Sequence, residues 1–255
     1  MLRLLQTQRA ELPQPEAKRA LILGVSSPRS LGFAVGEKMQ ARGWDTIMTT
    51  RRSKERQAFR NHRLVHFDYP DDVDDIKLVD NVDGLVFCLG STQIGEKNAG
   101  LTGASYDNFV HTLTVSCFAF IQVVREMSQR DYKPSSVVAL SFLGSERVVP
   151  GYEMMGVAKA ALEQAVRTLA YELGPTGMRV NAVSAGAVST PSARVLPNFR
   201  QVQAAMAAMT FIRRNVGADD VANAVSFLLS DESAGISGEI LQVNGGLRHG
   251  LSLVH

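Results

Sequence analysis

The chain has 255 residues, 45% of them hydrophobic and 20% charged, and a formal net charge of +2 at pH 7. These values are typical of a globular protein with one sizeable core, and so small a net charge gives no basis for nucleic-acid binding. Two cysteines are too few for a disulfide framework and predict a reducing, cytoplasmic compartment. His62 and His66 have the spacing of a zinc-protease helix but lack its glutamate, so we predict no metal site.

The first 18 residues begin with a short apolar and basic patch and contain Pro13 and Pro15. The patch is too short for a signal peptide or a membrane span, and Glu11 and Glu16 argue against a transit peptide. We therefore predict a flexible extension over residues 1–18, one domain over residues 19–255, and no association with a membrane.

From residue 19 onward, short apolar runs alternate with helical patterns. The apolar runs are continuous rather than alternating, which indicates strands buried on both faces of a parallel sheet. The alternation predicts an α/β fold, a single-domain Rossmann-like doubly wound sheet with helices on both faces. Residues 53–61 and 71–80 are short for crossover helices. The predicted strands are 19–25, 45–50, 63–67, 84–90, 135–142, 178–185 and 239–246, and the predicted helices are 31–42, about 105–130, about 151–173 and 218–230.

The segment after the first predicted strand, "GVSSPRSLGFAVG", has Gly24 at the turn and begins a helix near Leu31. Backbone N–H groups at a helix start attract a pyrophosphate, although the G-x-G-x-x-G fingerprint is absent here. After the second strand, Arg51 and Arg52 stand where an NAD enzyme usually offers a carboxylate. Guanidinium groups pair with phosphate, so this position predicts binding of a 2′-phosphate; the alternative is a solvated basic turn.

A tyrosine and a lysine lie seven residues apart in "SFLGSERVVPGYEMMGVAKAALEQAVR", residues 141–167. Seven residues are two helical turns, which places Tyr152, Gly156 and Lys159 on one face of the predicted helix. Glycine is less favourable than a helix former by about 1 kcal/mol, so something must approach the backbone closely at Gly156. The alternative is an ordinary partly exposed tyrosine and lysine beside a packing glycine.

This stretch closely resembles the catalytic segment of the enoyl-acyl-carrier-protein reductases, a divergent branch of the short-chain dehydrogenase/reductase superfamily. "GVSSPRSLGFAVG", "MRVNAVSAG" and "SDESAGISGEILQVNGG" resemble the same family, and the resemblance runs from about Lys18 to Leu247. It implies a homotetramer that reduces a trans-2-enoyl thioester, carried by acyl carrier protein or coenzyme A, in fatty-acid biosynthesis. Together with the arginines, it implies NADPH as the cofactor, with NADH possible.

The family resemblance implies that Tyr152 donates to the thioester carbonyl and that Lys159 holds the nicotinamide ribose. Hydride arriving at the β-carbon pushes charge onto the carbonyl oxygen, and a hydrogen-bond donor placed there stabilises the resulting enolate. Lys159 would also lower the pKa of the phenol, and Gly156 would be small because cofactor and substrate lie against this face. Ketoreductases with Tyr-x-x-x-Lys are disfavoured, because Met155 stands four residues before Lys159.

The resemblance also carries over a set of binding residues around this pair. For Ser30, Asp68 and Thr190 the alternative is a helix cap. Core packing is the alternative for six others: Leu31, Val188, Met154, Phe199, Met206 and Met209. Near the cofactor the set comprises Gly24, Ser30, Leu31, Arg51, Arg52, Asp68, Gly90, Lys159, Val188 and Thr190; along the acyl chain it comprises Phe142, Tyr152, Met154, Phe199, Met206 and Met209.

Some positions depart from the family pattern. Phe142 replaces a second tyrosine that many members carry, and Ala187 replaces a proline after "SAG". Pro197 and Gln201 stand where lysines that face the carrier protein are common, leaving Arg200. The departures favour a specialised relative, so a reductase of another activated enone stays open. A non-catalytic nucleotide-binding subunit is the other alternative.

Overall fold

The structure is a computed structural model that describes residues 17–51, 59, 62–73, 79–92, 100–195 and 198–249. Within these ranges the strands form one parallel sheet in the order β3-β2-β1-β4-β5-β6-β7. All seven predicted strands are confirmed, some with shorter carboxyl ends. They are β1 (Arg19–Leu23), β2 (Asp45–Thr50), β3 (Arg63–His66), β4 (Gly84–Phe87), β5 (Ser136–Phe142), β6 (Arg179–Ala185) and β7 (Ile240–Val243).

Helices cover both faces of the sheet, as predicted for a doubly wound fold. The strand order reverses between β1 and β4, and ligands of open parallel sheets bind beyond the carboxyl ends of the strands at such a switch point. The described helices are α1 (Leu31–Ala41), α2 (Tyr106–Leu113), α3 (Ala119–Ser128), α4 (Glu153–Leu173), α5 (Pro191–Arg194), α6 (Phe199–Met209) and α7 (Ala218–Leu229).

Two hydrophobic layers sandwich the sheet, because successive side chains of a buried strand point to opposite faces. On β1, Leu21 packs with α3 and α4 residues such as Phe120 and Leu162, whereas Ile22 packs with α1 and α7 residues such as Val35 and Val225. All six side chains are fully buried. Continuous apolar strands therefore serve both layers at once, which is why their sequences do not alternate.

The predicted helix over about 105–130 contains a π-helical turn, Thr114–Phe118, between α2 and α3. The turn leaves Ser116 and Cys117 buried against the sheet. Such turns are single insertions that helical periodicity does not indicate. The prediction also omitted α5 and α6, although Thr190 followed by Pro191 is a helix-start signal.

The predicted N-terminal extension lies outside the described residues up to residue 16. Lys18, which the prediction placed in that extension, is tied to the fold. Its ammonium donates to both carboxylate oxygens of Asp231, at 2.9 and 2.8 Å, and lies 5.7 Å from the centroid of the Trp44 ring. Most of the two short segments, 53–61 and 71–80, also falls outside the described residues.

By length and composition alone, the helical stretch Tyr106–Ser128 could cross a membrane. Core helices of globular proteins meet the same criterion, and the inner side of this stretch carries the fully buried Phe120, Val123 and Met127. We therefore assign the stretch to the hydrophobic layer beneath α4.

The two histidines with zinc-protease spacing have separate partners. The His62 Nε2 lies 2.8 Å from the Glu37 carboxylate, and the His66 Nδ1 lies 3.3 Å from the Asp72 carboxylate. In the part of the chain that the structure describes, no three His, Cys, Asp or Glu side chains come together as metal ligands.

Candidate active site

Lys159 lies on the inner face of α4, with only 7% of its surface exposed. Its ammonium donates one hydrogen bond, at 2.8 Å, to the carbonyl oxygen of Leu140 on β5. An ammonium has three donors, and the described residues supply no acceptor for the other two. A buried cation with unused donors is costly in isolation, so this donor set fits a polar ligand such as the hydroxyl groups of a ribose.

The surroundings of Lys159 lower its pKa well below the usual value for a lysine. Burial lowers the pKa of the ammonium to about 8, against the opposing influence of Cys88, Glu163 and Cys117. The group is therefore mostly protonated at pH 7 and loses its charge in mildly alkaline solution. A strongly shifted pKa at the carboxyl edge of the sheet marks this residue as a functional candidate.

Tyr152 is the N-cap residue of α4, where the chain leaves the loop after β5. Its ring meets the ring of Phe142 in a T-shaped arrangement with centroids 4.7 Å apart. Burial raises the pKa of the phenol above its usual value. The expectation that Lys159 lowers this pKa is wrong for this structure, because desolvation is the only cause acting on Tyr152. The phenol consequently stays protonated, which a hydrogen-bond donor requires.

Gly156 makes the close approach that the sequence predicted, but with a different partner. A Cβ added at Gly156 would lie 2.6 Å from the carbonyl oxygen of Gly144, in the short turn Leu143–Ser145. A Cβ added at Gly144 would lie 2.6 Å from the Tyr152 ring. The space at Gly156 is thus taken by the protein's own backbone, which corrects the expectation that cofactor and substrate fill it.

We expect Gly156→Ala to destabilise the protein, because the obstructing atom belongs to backbone. Overpacking costs about 1 to 3 kcal/mol, and better helix propensity returns up to about 1 kcal/mol. The Tm measured by calorimetry should fall by roughly 2 to 8 °C. Gly174→Ala at the end of α4 is the control: a Cβ there meets nothing within 4 Å, so its Tm should not fall. Equal Tm values for wild type and Gly156→Ala would contradict the tight contact.

The predicted pyrophosphate loop joins β1 to α1. Gly24 has φ +90°, and a Cβ there would lie 2.9 to 3.0 Å from atoms of Cys88 and Leu89, so only glycine fits this turn. Ser30 caps α1 by accepting a 3.4 Å hydrogen bond from the Phe33 N–H. Leu31 is the first helical residue, so the loop presents a helix N-terminus at the switch point, where an anion is favoured.

Gly90 lies beside Lys159 beyond the carboxyl end of β4. A Cβ added to Gly90 would lie 3.8 Å from the Lys159 ammonium and 3.3 Å from the Met155 methyl group. Gly90 therefore brings the chain after β4 against the Lys159 side of α4.

The residues predicted to bind the adenosine end lie at the neighbouring strands. Arg51 is exposed directly after β2, and Arg52 lies outside the described residues. Asp68 follows β3 and is partly buried; its N–H donates to the Asp72 carboxylate at 2.7 Å. Among the described residues nothing donates to the Asp68 carboxylate itself, so the helix-cap alternative finds no support here.

Val188 and Thr190 lie between β6 and α5. The Thr190 hydroxyl caps α5 by accepting from the Ala193 N–H at 3.2 Å, so the structural alternative is realised at this residue. The Val188 N–H donates to the Gly186 carbonyl at 2.8 Å, and the Val188 carbonyl accepts from Thr190 at 2.9 Å. A ligand amide that bound the Val188 backbone would therefore share the N–H with Gly186 and the carbonyl with Thr190.

The predicted acyl-binding residues separate into two groups. Phe142, Tyr152 and Met206 pack in one hydrophobic cluster with Leu143, Val149, Ala187 and Leu247. Met154 lines a small pocket together with Tyr152 and Thr92. Phe199 is buried and Met209 is 37% exposed, and neither belongs to that cluster. The structure therefore brings Phe142, Met154 and Met206 to Tyr152, but not Phe199 or Met209.

Sequence reasoning missed two groups of polar residues around the site. Ser116 in the π-helical turn accepts a 3.1 Å hydrogen bond from the Ser91 N–H and so fixes the chain after Gly90. Glu163, four residues after Lys159, is buried and bonded to two serine hydroxyls. The spacing of four could have placed Glu163 on the face of Lys159, but its serine partners are distant in sequence.

A doubly wound sheet with a glycine turn at its switch point, and with a half-buried tyrosine and a buried lysine on α4, is the arrangement of a dinucleotide-dependent oxidoreductase of the short-chain class. The model of the family described as "Enoyl-(Acyl carrier protein) reductase" matches residues 24–248. The chain therefore belongs to the enoyl-acyl-carrier-protein reductase family of NAD(P)H-dependent oxidoreductases.

Individual relatives agree with this assignment over nearly their whole length. The chain is 34% identical over 244 residues to enoyl-[acyl-carrier-protein] reductase [NADH] FabI of Salmonella typhimurium, covering 90% of this chain and 93% of the relative. The crystal structure of the NADH enzyme of Aquifex aeolicus matches with a TM-score of 0.86 at 29% identity, covering 93% and 98% of the two chains. The Bacillus cereus enzyme, solved with NADP+ and indole naphthyridinone, matches with a TM-score of 0.85 at 28% identity, covering 92% and 98%.

Proposed function

We propose that this enoyl-acyl-carrier-protein reductase reduces the carbon–carbon double bond of a trans-2-enoyl thioester, with Tyr152 and Lys159 as its catalytic residues. The observation that carries the proposal is the arrangement on α4. Tyr152 stands at the N-cap with its phenol protonated, and Lys159, seven residues later, offers a buried ammonium with unused donors beside Gly90.

The bound nicotinamide supplies the hydride that goes to the β-carbon of the substrate. Tyr152 donates a hydrogen bond to the thioester carbonyl oxygen and stabilises the negative charge that develops there. Its raised pKa suits this role, because the phenol keeps its proton over the working pH range. Lys159 holds the ribose hydroxyls with the donors that Leu140 leaves unused, which fixes orientation.

Apolar side chains around Tyr152 suit an acyl chain. Phe142 contacts the Tyr152 ring, and Met206 packs in the same cluster. Methionine adapts to irregular apolar partners, and a phenylalanine offers no polar group that a hydrocarbon chain would leave unpaired. We propose that these two residues, with Met154, form the wall of the acyl site.

The deciding experiment follows oxidation of NADPH and of NADH with crotonyl-coenzyme A and with crotonyl-acyl carrier protein. Turnover of either thioester supports the proposal, and the ratio between them tests whether the loss of lysines at the carrier-facing positions has weakened binding of the carrier protein. Turnover restricted to small enones would favour the alternative reductase. Cofactor binding without turnover of any enone would favour a nucleotide-binding subunit.

We further propose that NADPH is preferred and that NADH is also accepted. Arg51 is exposed directly after β2. Arg51 and Arg52 are positively charged, so neither would repel a 2′-phosphate as a carboxylate would. The named relatives include both NADH enzymes and one solved with NADP+, so the family accommodates either cofactor. We therefore propose that local charge after β2 decides the preference.

We expect wild-type kcat/KM to favour NADPH over NADH by at least about tenfold, since charge-assisted hydrogen bonds contribute about 1.5 to 3 kcal/mol each. The double variant Arg51→Ala, Arg52→Ala should lose most of that preference and leave NADH kinetics nearly unchanged. Raising the salt concentration should mimic the loss, because exposed charges are screened.

Arg42→Ala is a matched control for the double variant, since Arg42 is exposed but lies at the opposite end of β2. It should keep the wild-type preference. Equal kcat/KM for the two cofactors in wild type, or a preference that survives the double variant, would show that the arginines form a solvated turn.

We also propose a homotetramer, as the family resemblance implies, in the reducing cytoplasm that the two free cysteines indicate. The outer side of α2 and the π-helical turn exposes several apolar side chains that contacts between copies could cover: Tyr106, Phe109, Val110 and Phe118. Light scattering on the purified full chain gives the mass directly, and a monomer at micromolar concentration would contradict the proposal.

A further inference from the structure

Glu163 holds a buried carboxylate on the same face of α4 as Lys159. Only 3% of the residue is exposed. Its Oε1 accepts two short hydrogen bonds, from the Ser141 hydroxyl at 2.5 Å and from the Ser145 hydroxyl at 2.6 Å. A carboxylate is removed from water at a large cost unless hydrogen bonds satisfy it, so these serines determine where the side chain sits.

The two serines flank Gly144, whose turn supports Tyr152. Ser141 is near the end of β5, and Ser145 ends the turn Leu143–Ser145. Between them, Gly144 leaves no space for a Cβ on the side of the Tyr152 ring, and its carbonyl oxygen packs on Gly156. Because Glu163 binds both serines, it fastens this turn to α4 and so fixes the surface on which the Tyr152 ring rests.

Glu163 also acts on the charge of Lys159, one helical turn earlier. The ionisable groups that affect the ammonium come from three elements: Cys88 after β4, Cys117 in the π-helical turn, and Glu163 on α4. Glu163 in turn has Arg167 at 4.0 Å from its Oε2, on the exposed side of the helix. Both cysteine thiols have a raised pKa because burial disfavours the thiolate, so we assign the role of counter-charge in this group to the Glu163 carboxylate.

We propose that Glu163 is a positioning residue for the reduction, which fastens the Leu143–Ser145 turn under Tyr152 and maintains the ammonium of Lys159; this rests on the proposed roles of those two residues. The two effects depend on different properties of the Glu163 carboxylate. Its hydrogen bonds to the serines hold the turn, and its charge favours the protonated lysine. Substitutions can therefore separate them.

Glu163→Gln keeps the oxygen acceptor for the serines and removes the charge. The pKa of Lys159 should then fall below about 8, so the alkaline limb of the kcat/KM profile should move to lower pH by about one unit. Ser145→Ala keeps the charge and removes one bond to the turn. It should lower kcat about tenfold or more through misplacement of Tyr152, with KM for the cofactor and the alkaline limb unchanged.

Glu172→Gln is the matched control, because Glu172 is an exposed carboxylate on the same helix. It should match wild type in both measurements. NMR titration of lysine side chains in the protein without cofactor provides a readout that needs no activity. The Lys159 signal, identified by its loss in Lys159→Arg, should titrate at lower pH in Glu163→Gln than in wild type.

An unmoved Lys159 titration in Glu163→Gln would overturn the charge role, and unchanged kcat in Ser145→Ala would overturn the role of the turn. These results differ from failure of the proposed function, in which wild type itself turns over no enoyl thioester. If Glu163→Gln did not fold, its loss of stability relative to Glu172→Gln would show a role in stability only. Ser145→Ala would then decide the positioning role alone, and wild-type kcat in that variant would end the proposal.

Discussion

Tyr152→Phe should lower turnover of an enoyl thioester about 10- to 1000-fold, because it removes one hydrogen-bond donor from the developing oxyanion. The substitution removes the hydroxyl group and keeps the aromatic ring, so the packing of the ring against Phe142 and Gly144 should persist. The Kd of the cofactor, measured by fluorescence, should remain near the wild-type value. Steady-state kinetics would therefore show a fall in kcat with little change in cofactor affinity.

Tyr171→Phe provides the control for this variant, since Tyr171 lies on the same helix and is 85% exposed. It should leave kcat unchanged. The raised pKa of Tyr152 adds a second check: because burial keeps the phenol protonated, the pH dependence of wild type above neutrality should not come from this tyrosine. Wild-type turnover in Tyr152→Phe would remove Tyr152 from the chemistry.

The sheet could be predicted from the sequence because burial on both faces leaves continuous apolar runs, and these runs mark β4, β5 and β6 with little ambiguity. The carboxyl ends of β4 and β7 are shorter than predicted, because apolar residues such as Leu89 continue past the last ladder hydrogen bond into the site. The local pattern reports burial, and the pairing of strands decides where each strand ends.

Gly156 shows what a local pattern does not contain. Its low helix propensity correctly indicated a close approach to the backbone. The expected partner, the cofactor and substrate, was wrong, because the carbonyl of Gly144 occupies this space. That partner, Gly144, sits in a turn whose path depends on the hydrogen bonds of Ser145 to Glu163. Contacts of this kind join residues that are distant in sequence, so neither propensity nor periodicity indicates them.

The π-helical turn is a similar case. Ser116, in the π-helical turn between α2 and α3, accepts a hydrogen bond from the chain after Gly90. The sequence over Thr114–Phe118 has the pattern of an ordinary helix. The contact made by the inserted turn is to Ser91, which is distant in sequence, so the local pattern does not indicate it. The family resemblance predicts roles for Tyr152, Lys159 and Gly90, whereas the polar residues that contact them emerged only from the structure.

Lys159→Met should reduce activity more than any other single substitution outside Tyr152. It removes the donors proposed for the ribose, so the Kd for NADPH should rise about 10- to 100-fold, since hydrogen bonds to charged groups contribute about 1.5 to 3 kcal/mol. If only turnover fell and the Kd stayed constant, Lys159 would belong to the chemistry and not to ribose binding.

For stability, the same substitution should have the opposite effect: it weakens cofactor binding but removes a buried charge that destabilises the folded protein. Burial lowers the pKa of Lys159 from 10.5 to about 8, so the unfolded chain binds this proton more tightly than the folded protein does. The free energy of unfolding of wild type, relative to Lys159→Met, should therefore rise as the pH increases from about 8 to about 10.5. The gain should be about 3 kcal/mol, at about 1.36 kcal/mol for each pH unit between the two pKa values.

At pH 7 the wild-type protein thus bears the cost of a buried ammonium that Lys159→Met avoids. Loss of the bond to Leu140 offsets part of that gain, because an unpaired buried carbonyl costs about 1 to 3 kcal/mol. The lost bond does not change with pH, so it does not affect how the difference in free energy of unfolding between the two proteins varies with pH. Urea unfolding at pH 7, 9 and 10.5 measures that variation. A flat difference would mean that the ammonium is not destabilised by burial. A rise with pH, together with weakened cofactor binding, would mean that the protein keeps a destabilising charge because the cofactor uses it.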